Sequence, residues 1–212
     1  MAEHAAELKD IDRKALLDAF DRLGAAAAEH DTMIDITVYG GSALMFASNF
    51  RFATGDVDIA PLGEAKPTWF DRAVAQIAAD LGFKEKENWL NDAVEFHLSR
   101  LATKDDHWEY GTFPRAGEQA GLRVYVPTAE YMLALKLKAM RVLDPSKGPQ
   151  ERNDIQKLLQ VNDVRDIESA MGILGKYFPT SAKHDDKRFL LREMFSFERK
   201  DDDAPVYPAR SL

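Results

Sequence analysis

The chain has 212 residues, 45% hydrophobic and 30% charged, a composition that can bury a core and argues against disorder. It has no cysteine, which excludes disulfides, thiolate metal sites and a cysteine nucleophile. Its 28 Lys and Arg against 36 Asp and Glu give a net charge of −8, which disfavours nucleic-acid binding by bulk charge and leaves only a local basic patch for that purpose.

No apolar run approaches the roughly 20 residues of a membrane-spanning helix, and the opening MAEHAAELKD lacks an apolar signal segment, so a cytoplasmic protein with no membrane contact is expected. Leu16, Ala19, Phe20 and Leu23 recur at helical spacing and predict a helix ending near His30. The β-branched and aromatic run 34–39 predicts a strand, which passes through Gly40, Gly41 and Ser42 into a short helix over 43–47. A turn over 48–55 then leads to a second strand at 56–60. Phe70, Val74, Ile77 and Leu81 mark a helix over 67–81 with Gly82 as its C-terminal cap.

Residues 84–89 and 94–98 are both compatible with strands, and the polar stretch 102–119 reads as loop. A strand is expected at 122–126, and Thr128 caps a helix over 129–143. Further helices are expected at 151–160, 163–177 and 185–197, followed by a loose tail. The fold class is therefore α+β, with an α/β core. A small mixed sheet flanked by helices occupies 1–126, a helical part packed on it occupies 127–198, and the tail covers 199–212.

Paired glycines between a strand and a helix let the backbone turn tightly and approach a ligand, and the helix that follows aims free N–H groups at it, a geometry suited to phosphate. The same run is also compatible with a plain tight turn. Asp56 and Asp58, two residues apart on a strand, share one face. Adjacent carboxylates repel unless a cation lies between them, and oxygen ligands of this kind suit Mg²⁺ together with substrate phosphates. Two solvated aspartates at a strand end are the plain alternative.

On the helix over 129–143, Met132, Leu133, Ala139, Met140 and Leu143 fall within about 60° of Lys136, which therefore points inward while Lys138 points away. An inward lysine needs a partner, and a phosphate or the aspartate pair would serve; snorkelling to the surface is the alternative. Asp154 is compatible with pairing to Lys136 or Arg141, and equally with an exposed place near a helix start. Arg188, Arg192, Arg199 and Lys200, interleaved with Phe189, Phe195 and Phe197, fit either a basic-aromatic patch or an ordinary amphipathic helix. None of the five histidines has a second ligand at zinc spacing.

Together these residues resemble the nucleotidyltransferase fold of the DNA polymerase β type, whose signature is Gly-Gly/Ser-Ser, a helix, then Asp-x-Asp on the next strand. The run Arg51, Thr54, Asp56, Asp58 is similar to the Arg-x-x-Thr/Ser-x-Asp-x-Asp of the AbiEii-like branch, which includes abortive-infection and toxin–antitoxin enzymes. The stretches LKLKAMR, from Leu135 to Arg141, and DIQKL, from Asp154 to Leu158, match two further elements of that branch.

The resemblance implies transfer of a nucleoside monophosphate from an NTP to a hydroxyl of RNA (such as tRNA), a protein or a small molecule. It also implies one or two Mg²⁺ ions on Asp56 and Asp58, nucleotide binding by Gly40, Gly41, Ser42, Arg51 and Thr54, and catalytic roles for Asp56, Asp58, Lys136 and Asp154. Many members place a third carboxylate on a later strand. Here the strand 122–126 offers Arg123, with Asp92, Glu95 and Glu109 as remaining candidates. That gap motivates the alternative of a degenerate, non-catalytic member that binds a cognate protein partner.

Overall fold

A computed structural model describes residues 10–48, 51–62, 66–84, 88–117, 119–183, 185–196 and 205–208. Strand β1 (Ile11–Asp12) pairs antiparallel with β3 (Ala53–Thr54), so the expected turn over 48–55 contains a short strand. Helix α1 (Arg13–Glu29) starts where the Asp12 side chain accepts from the Ala15 N–H at 2.7 Å. It buries Leu16, Ala19, Phe20 and Leu23, the stripe its periodicity marks.

The main sheet has five strands in the order β5 (Leu90–Asn91), β4 (Val57–Pro61), β2 (Ile34–Val38), β7 (Leu122–Pro127), β6 (His107–Phe113). It is mixed: β2 runs antiparallel to β4 and parallel to β7, β4 is parallel to β5, and β6 is antiparallel to β7. The registers Thr37↔Ala60 and Thr37↔Tyr125 sort the side chains onto two faces. Ile34, Ile36, Val38, Val57, Ile59, Leu122 and Val124 form a buried apolar face. Asp35, Thr37, Tyr39, Asp58, Arg123 and Tyr125 stand on the other.

Helix α1 lies directly on backbone. A β-carbon added at Gly24 would fall 2.4 Å from the carbonyl carbon and oxygen of Phe113, and one at Gly121 would fall 2.2 Å from the Gly24 carbonyl oxygen. Neither neighbour is a side chain that can swing away. Gly24→Ala is therefore expected to lower the unfolding free energy by about 1–3 kcal/mol, read from urea denaturation. An unchanged midpoint would show that the helix can lift without loss.

Helix α2 (Gly40–Ala47) follows β2 and is buried from Ser42 to Ala47. Helix α3 (Phe70–Leu81) begins after a turn in which Phe70 N–H bonds to the Pro67 carbonyl at 3.0 Å, so Pro67 precedes the helix. Gly82 ends it in the left-handed region at φ 72°. Three local expectations change here. Residues 93–97 form a 3-10 turn instead of a strand, because Leu98 N–H and Glu95 N–H close local bonds to Glu95 and Asp92 carbonyls. The strand near 84–89 lies further on, at Leu90–Asn91, with 85–87 outside the described residues. The supposed loop 102–119 contains the seven-residue β6.

Helix α4 (Ala129–Ala139) is capped by Thr128, which accepts from Tyr131 N–H at 3.3 Å. Met140 adopts φ 37° and stops it, so the helix does not reach 143 and Leu143 is 75% exposed. Helix α5 (Gly148–Val161) starts earlier than expected, with Pro149 in its first turn. Helices α6 (Ile167–Tyr177) and α7 (Asp185–Ser196) complete the helical part.

Buried Lys187 on α7 donates to the Leu137 and Lys138 carbonyls, both at 2.9 Å, and so closes the C-terminal end of α4. Leu190, Leu191 and Met194 bury the apolar side of α7, and Arg188 pairs with Glu168. That is amphipathic packing; Phe197, Arg199 and Lys200 lie outside the described residues. Within 205–208, Tyr207 packs against the core and its hydroxyl donates to the Pro127 carbonyl. Among the described residues no helix is long and apolar enough to cross a membrane.

Candidate functional site

Tyr39, in extended conformation, precedes α2, and no side chain caps that helix. Its first N–H groups, from Gly40 onward, are the unsatisfied donors every helix start presents. Gly40 takes φ 62°, and a β-carbon there would stand 2.6 Å from Asp58 Oδ2. Only glycine lets the start of α2 and the Asp58 carboxylate meet this closely. At Gly41 the same construction falls 2.6 Å from Arg51 Nη1.

The Asp56 carbonyl accepts from Ser42 Oγ and Thr54 Oγ1, each at 2.9 Å, and Tyr39 N–H bonds to the Asp58 carbonyl at 2.8 Å. The two hydroxyls thus clamp the backbone that carries the acids, with Ser42 and Thr54 both buried. Asp56 stands just before β4 and is exposed, while Asp58, within it, is half-buried.

Burial raises the Asp58 pKa above its ordinary 3.8, and repulsion from Asp56 adds to the rise; Arg141, Lys136 and Lys147 pull the other way. A carboxyl whose pKa is higher folded than unfolded binds its proton more tightly in the native state. The native state has that advantage in full below the unfolded value and loses it as pH rises through the folded value. At neutral pH an ionised Asp58 is therefore a liability. Asp58→Asn is expected to raise the melting temperature at pH 7 in metal-free buffer, with the gain vanishing near pH 3. A melting temperature that falls at pH 7 would contradict this.

Lys136 is buried, and its partners are not the aspartate pair. Its Nζ donates to Glu151 Oε2 at 2.7 Å and Asp154 Oδ2 at 3.0 Å. Arg51 Nη2 reaches Asp154 Oδ2 at 2.7 Å, and Gln150 Nε2 reaches Oδ1 at 3.2 Å. Two cations and two acids thus tie the segment after α2 to α4 and α5. Burial would raise the Asp154 pKa, but Lys136 and Arg51 outweigh it and hold the carboxyl below its ordinary value. Lys138, expected to point away, donates to the His97 carbonyl at 2.7 Å and lies over the Phe178 ring.

A polar cleft of about 710 Å³ is lined by Gly40, Gly41, Arg51, Thr54, Asp56 and Lys136, together with Asn91, Arg141, Lys147 and Glu151. Ser42 and Asp154 lie buried beneath the residues that line it. Sequence reasoning missed Glu151, although its place three residues before Asp154 puts both on one face of α5. It also passed over Lys147, which forms no side-chain ion pair or hydrogen bond among the described residues. Arg141 forms none either.

β4 lies between β2 and β5, and Asn91 of β5 stands opposite Asp58. Arg123 lies two strands away and pairs with Asp35 at 3.4 Å. Of the acid candidates, Asp92 pairs with Lys66, Glu95 is exposed, and Glu109 sits on β6 across the sheet. Among the described residues no group of three His, Asp or Glu side chains is placed to hold a metal. Two carboxylates with substrate oxygens still make an ordinary Mg²⁺ ligand set, and the raised Asp58 pKa is what a cation between the acids would relieve.

No family model and no curated protein matches this chain. It is similar to a solved structure described as an antigenic nucleotidyltransferase-like protein from Paracoccidioides brasiliensis, at 13% identity over 82% of this chain and 95% of that one, with a TM-score of 0.45. The likeness is too distant to transfer any residue's role.

Proposed function

We propose that the protein is a Mg²⁺-dependent nucleotidyltransferase that moves a nucleoside monophosphate from an NTP to an acceptor hydroxyl. The observation that carries the reading is the close approach of Asp58 to Gly40, where a β-carbon would not fit, at an uncapped helix start that lines the cleft together with Asp56. The α2 N–H groups take the triphosphate. Lys136 is paired with both α5 acids, so the cations left for the phosphates are Arg141 and Lys147. Asp56 and Asp58 would hold Mg²⁺, which when bound neutralises charge on the α-phosphate and the leaving group.

The acceptor oxygen bonds to the α-phosphorus and the bond to the oxygen bridging to the β-phosphate breaks. Pyrophosphate leaves with that electron pair, and the hydroxyl proton passes to a carboxylate, Asp58 being the half-buried one of the pair. The Arg51–Thr54–Asp56–Asp58 run and the stretches Leu135 to Arg141 and Asp154 to Leu158 support the AbiEii-like branch, and with it a cytoplasmic abortive-infection or toxin–antitoxin role acting on RNA such as tRNA, a protein or a small molecule. The test is incubation with each α-labelled NTP, Mg²⁺ and cellular RNA or lysate. Neither nucleotide binding nor pyrophosphate release with any acceptor would refute the reading.

Asn91 opposite Asp58 favours a second reading, a degenerate member that binds a cognate protein. Under it, a tight complex would survive Asp56→Asn combined with Asp58→Asn.

A further inference from the structure

A second cavity of about 350 Å³ adjoins the cleft and shares Gly40, Lys136, Arg141 and Glu151 with it. Its chemistry is different. Tyr39, Val94, Met132 and Leu135 give it apolar walls, whereas the main cleft is lined mostly by polar groups. A flat, poorly hydrated body fits the former and a polyanion the latter. A nucleotide has both parts, and the shared wall lets one molecule occupy both spaces.

The wall between them holds an unusual group. Glu151 is 3% exposed, and its Oε2 accepts from Lys136, but its Oε1 accepts from nothing among the described residues. A buried carboxylate oxygen without a donor is unfavourable, and a ligand that brings an N–H or NH₂ group relieves it. A ligand that presents a carbonyl oxygen there makes it worse.

We propose, resting on the nucleotidyltransferase reading, that the second cavity receives the base of the bound nucleotide and that Glu151 selects bases carrying an exocyclic amine. Adenine, cytosine and guanine offer such an amine, whereas the one ring N–H of uracil lies between two carbonyl oxygens, which a carboxylate repels. Val94, Met132 and Leu135 supply apolar contact to whichever base enters, so discrimination falls to the carboxylate. The selection is of uridine against the other three, with no preference required among those.

The test is equilibrium binding of ATP, CTP, GTP and UTP to the full chain with Mg²⁺, alongside inorganic tripolyphosphate. UTP is expected to bind about tenfold or more weakly than the tightest of the others. Glu151→Gln, whose amide can donate as well as accept, is expected to bring that ratio close to one, even if all four affinities fall together. Val94→Trp, which fills the cavity from its wall, is expected to weaken all four nucleotides and leave tripolyphosphate unchanged. Equal affinity for all four nucleotides in the wild type overturns the proposal and leaves the nucleotidyltransferase reading standing. So does a Val94→Trp variant that binds NTPs as before. Failure to bind any nucleotide or tripolyphosphate overturns both.

Discussion

Asp56→Asn combined with Asp58→Asn is expected to reduce pyrophosphate release and nucleotide transfer by roughly 10³-fold or more, with the protein still folded. The substitution keeps the shape of both side chains and removes two negative charges. The backbone clamp is untouched, because Ser42 and Thr54 bond to the Asp56 carbonyl and Tyr39 to that of Asp58. Loss of activity therefore cannot be ascribed to loss of the strand. Stability should rise at neutral pH, since the burial and the repulsion that raise the Asp58 pKa no longer act on a charge. Opposite movement of activity and melting temperature is the signature of acids kept for a cation. A variant that keeps its activity would show that the chemistry lies elsewhere, and one that melts lower would show that the pair is structural.

The second large effect concerns stability. Lys136→Met is expected to lower the unfolding free energy by about 3–5 kcal/mol, because it leaves two buried carboxylates with Arg51 as the one cation, among the described residues, still paired to either. Side-chain exposure is 7% for Lys136, 3% for Glu151 and 0% for Asp154, so water does not screen the loss. Adding Glu151→Gln to Lys136→Met should recover part of it, and a double-mutant cycle in urea reads the coupling directly. Acid sensitivity should move too. The depressed Asp154 pKa contributes stability above the unfolded value near 3.8 and loses it as pH falls through the folded value. Without Lys136 that pKa rises, and acid unfolding begins at higher pH. A variant as stable as wild type would mean that the carboxylates find other partners.

The signals that could be read from sequence were those written in short-range geometry. The glycine pair, the i, i+2 acids and the left-handed Gly82 each follow from local backbone rules. The inward direction of Lys136 followed from helical periodicity as well. Of its partners, Asp154 was expected and Glu151 was not, because Glu151 approaches only when α4 and α5 pack together, and nothing local announces that pairing. Strand β6 escaped for another reason. Its alternation breaks where the register shifts between Glu109 and Gly111, so the run 107–113 shows no continuous period of two. The stretch 94–98 misled in the opposite sense: Val94 and Phe96 alternate like a strand, yet Phe96 is 90% exposed and the backbone closes into a 3-10 turn. The search for a third acid considered the strand 122–126, which lies two strands from β4, whereas strand order, a property of the whole sheet, sets β5 and β2 beside it.

The register that sets Asn91 against Asp58 has a consequence for descent. Asparagine and aspartate share one skeleton, and their codons differ at a single base. A lineage can therefore pass between a two-acid and a three-acid cleft by one point mutation, in either direction, with no change of side-chain volume to be absorbed by the sheet.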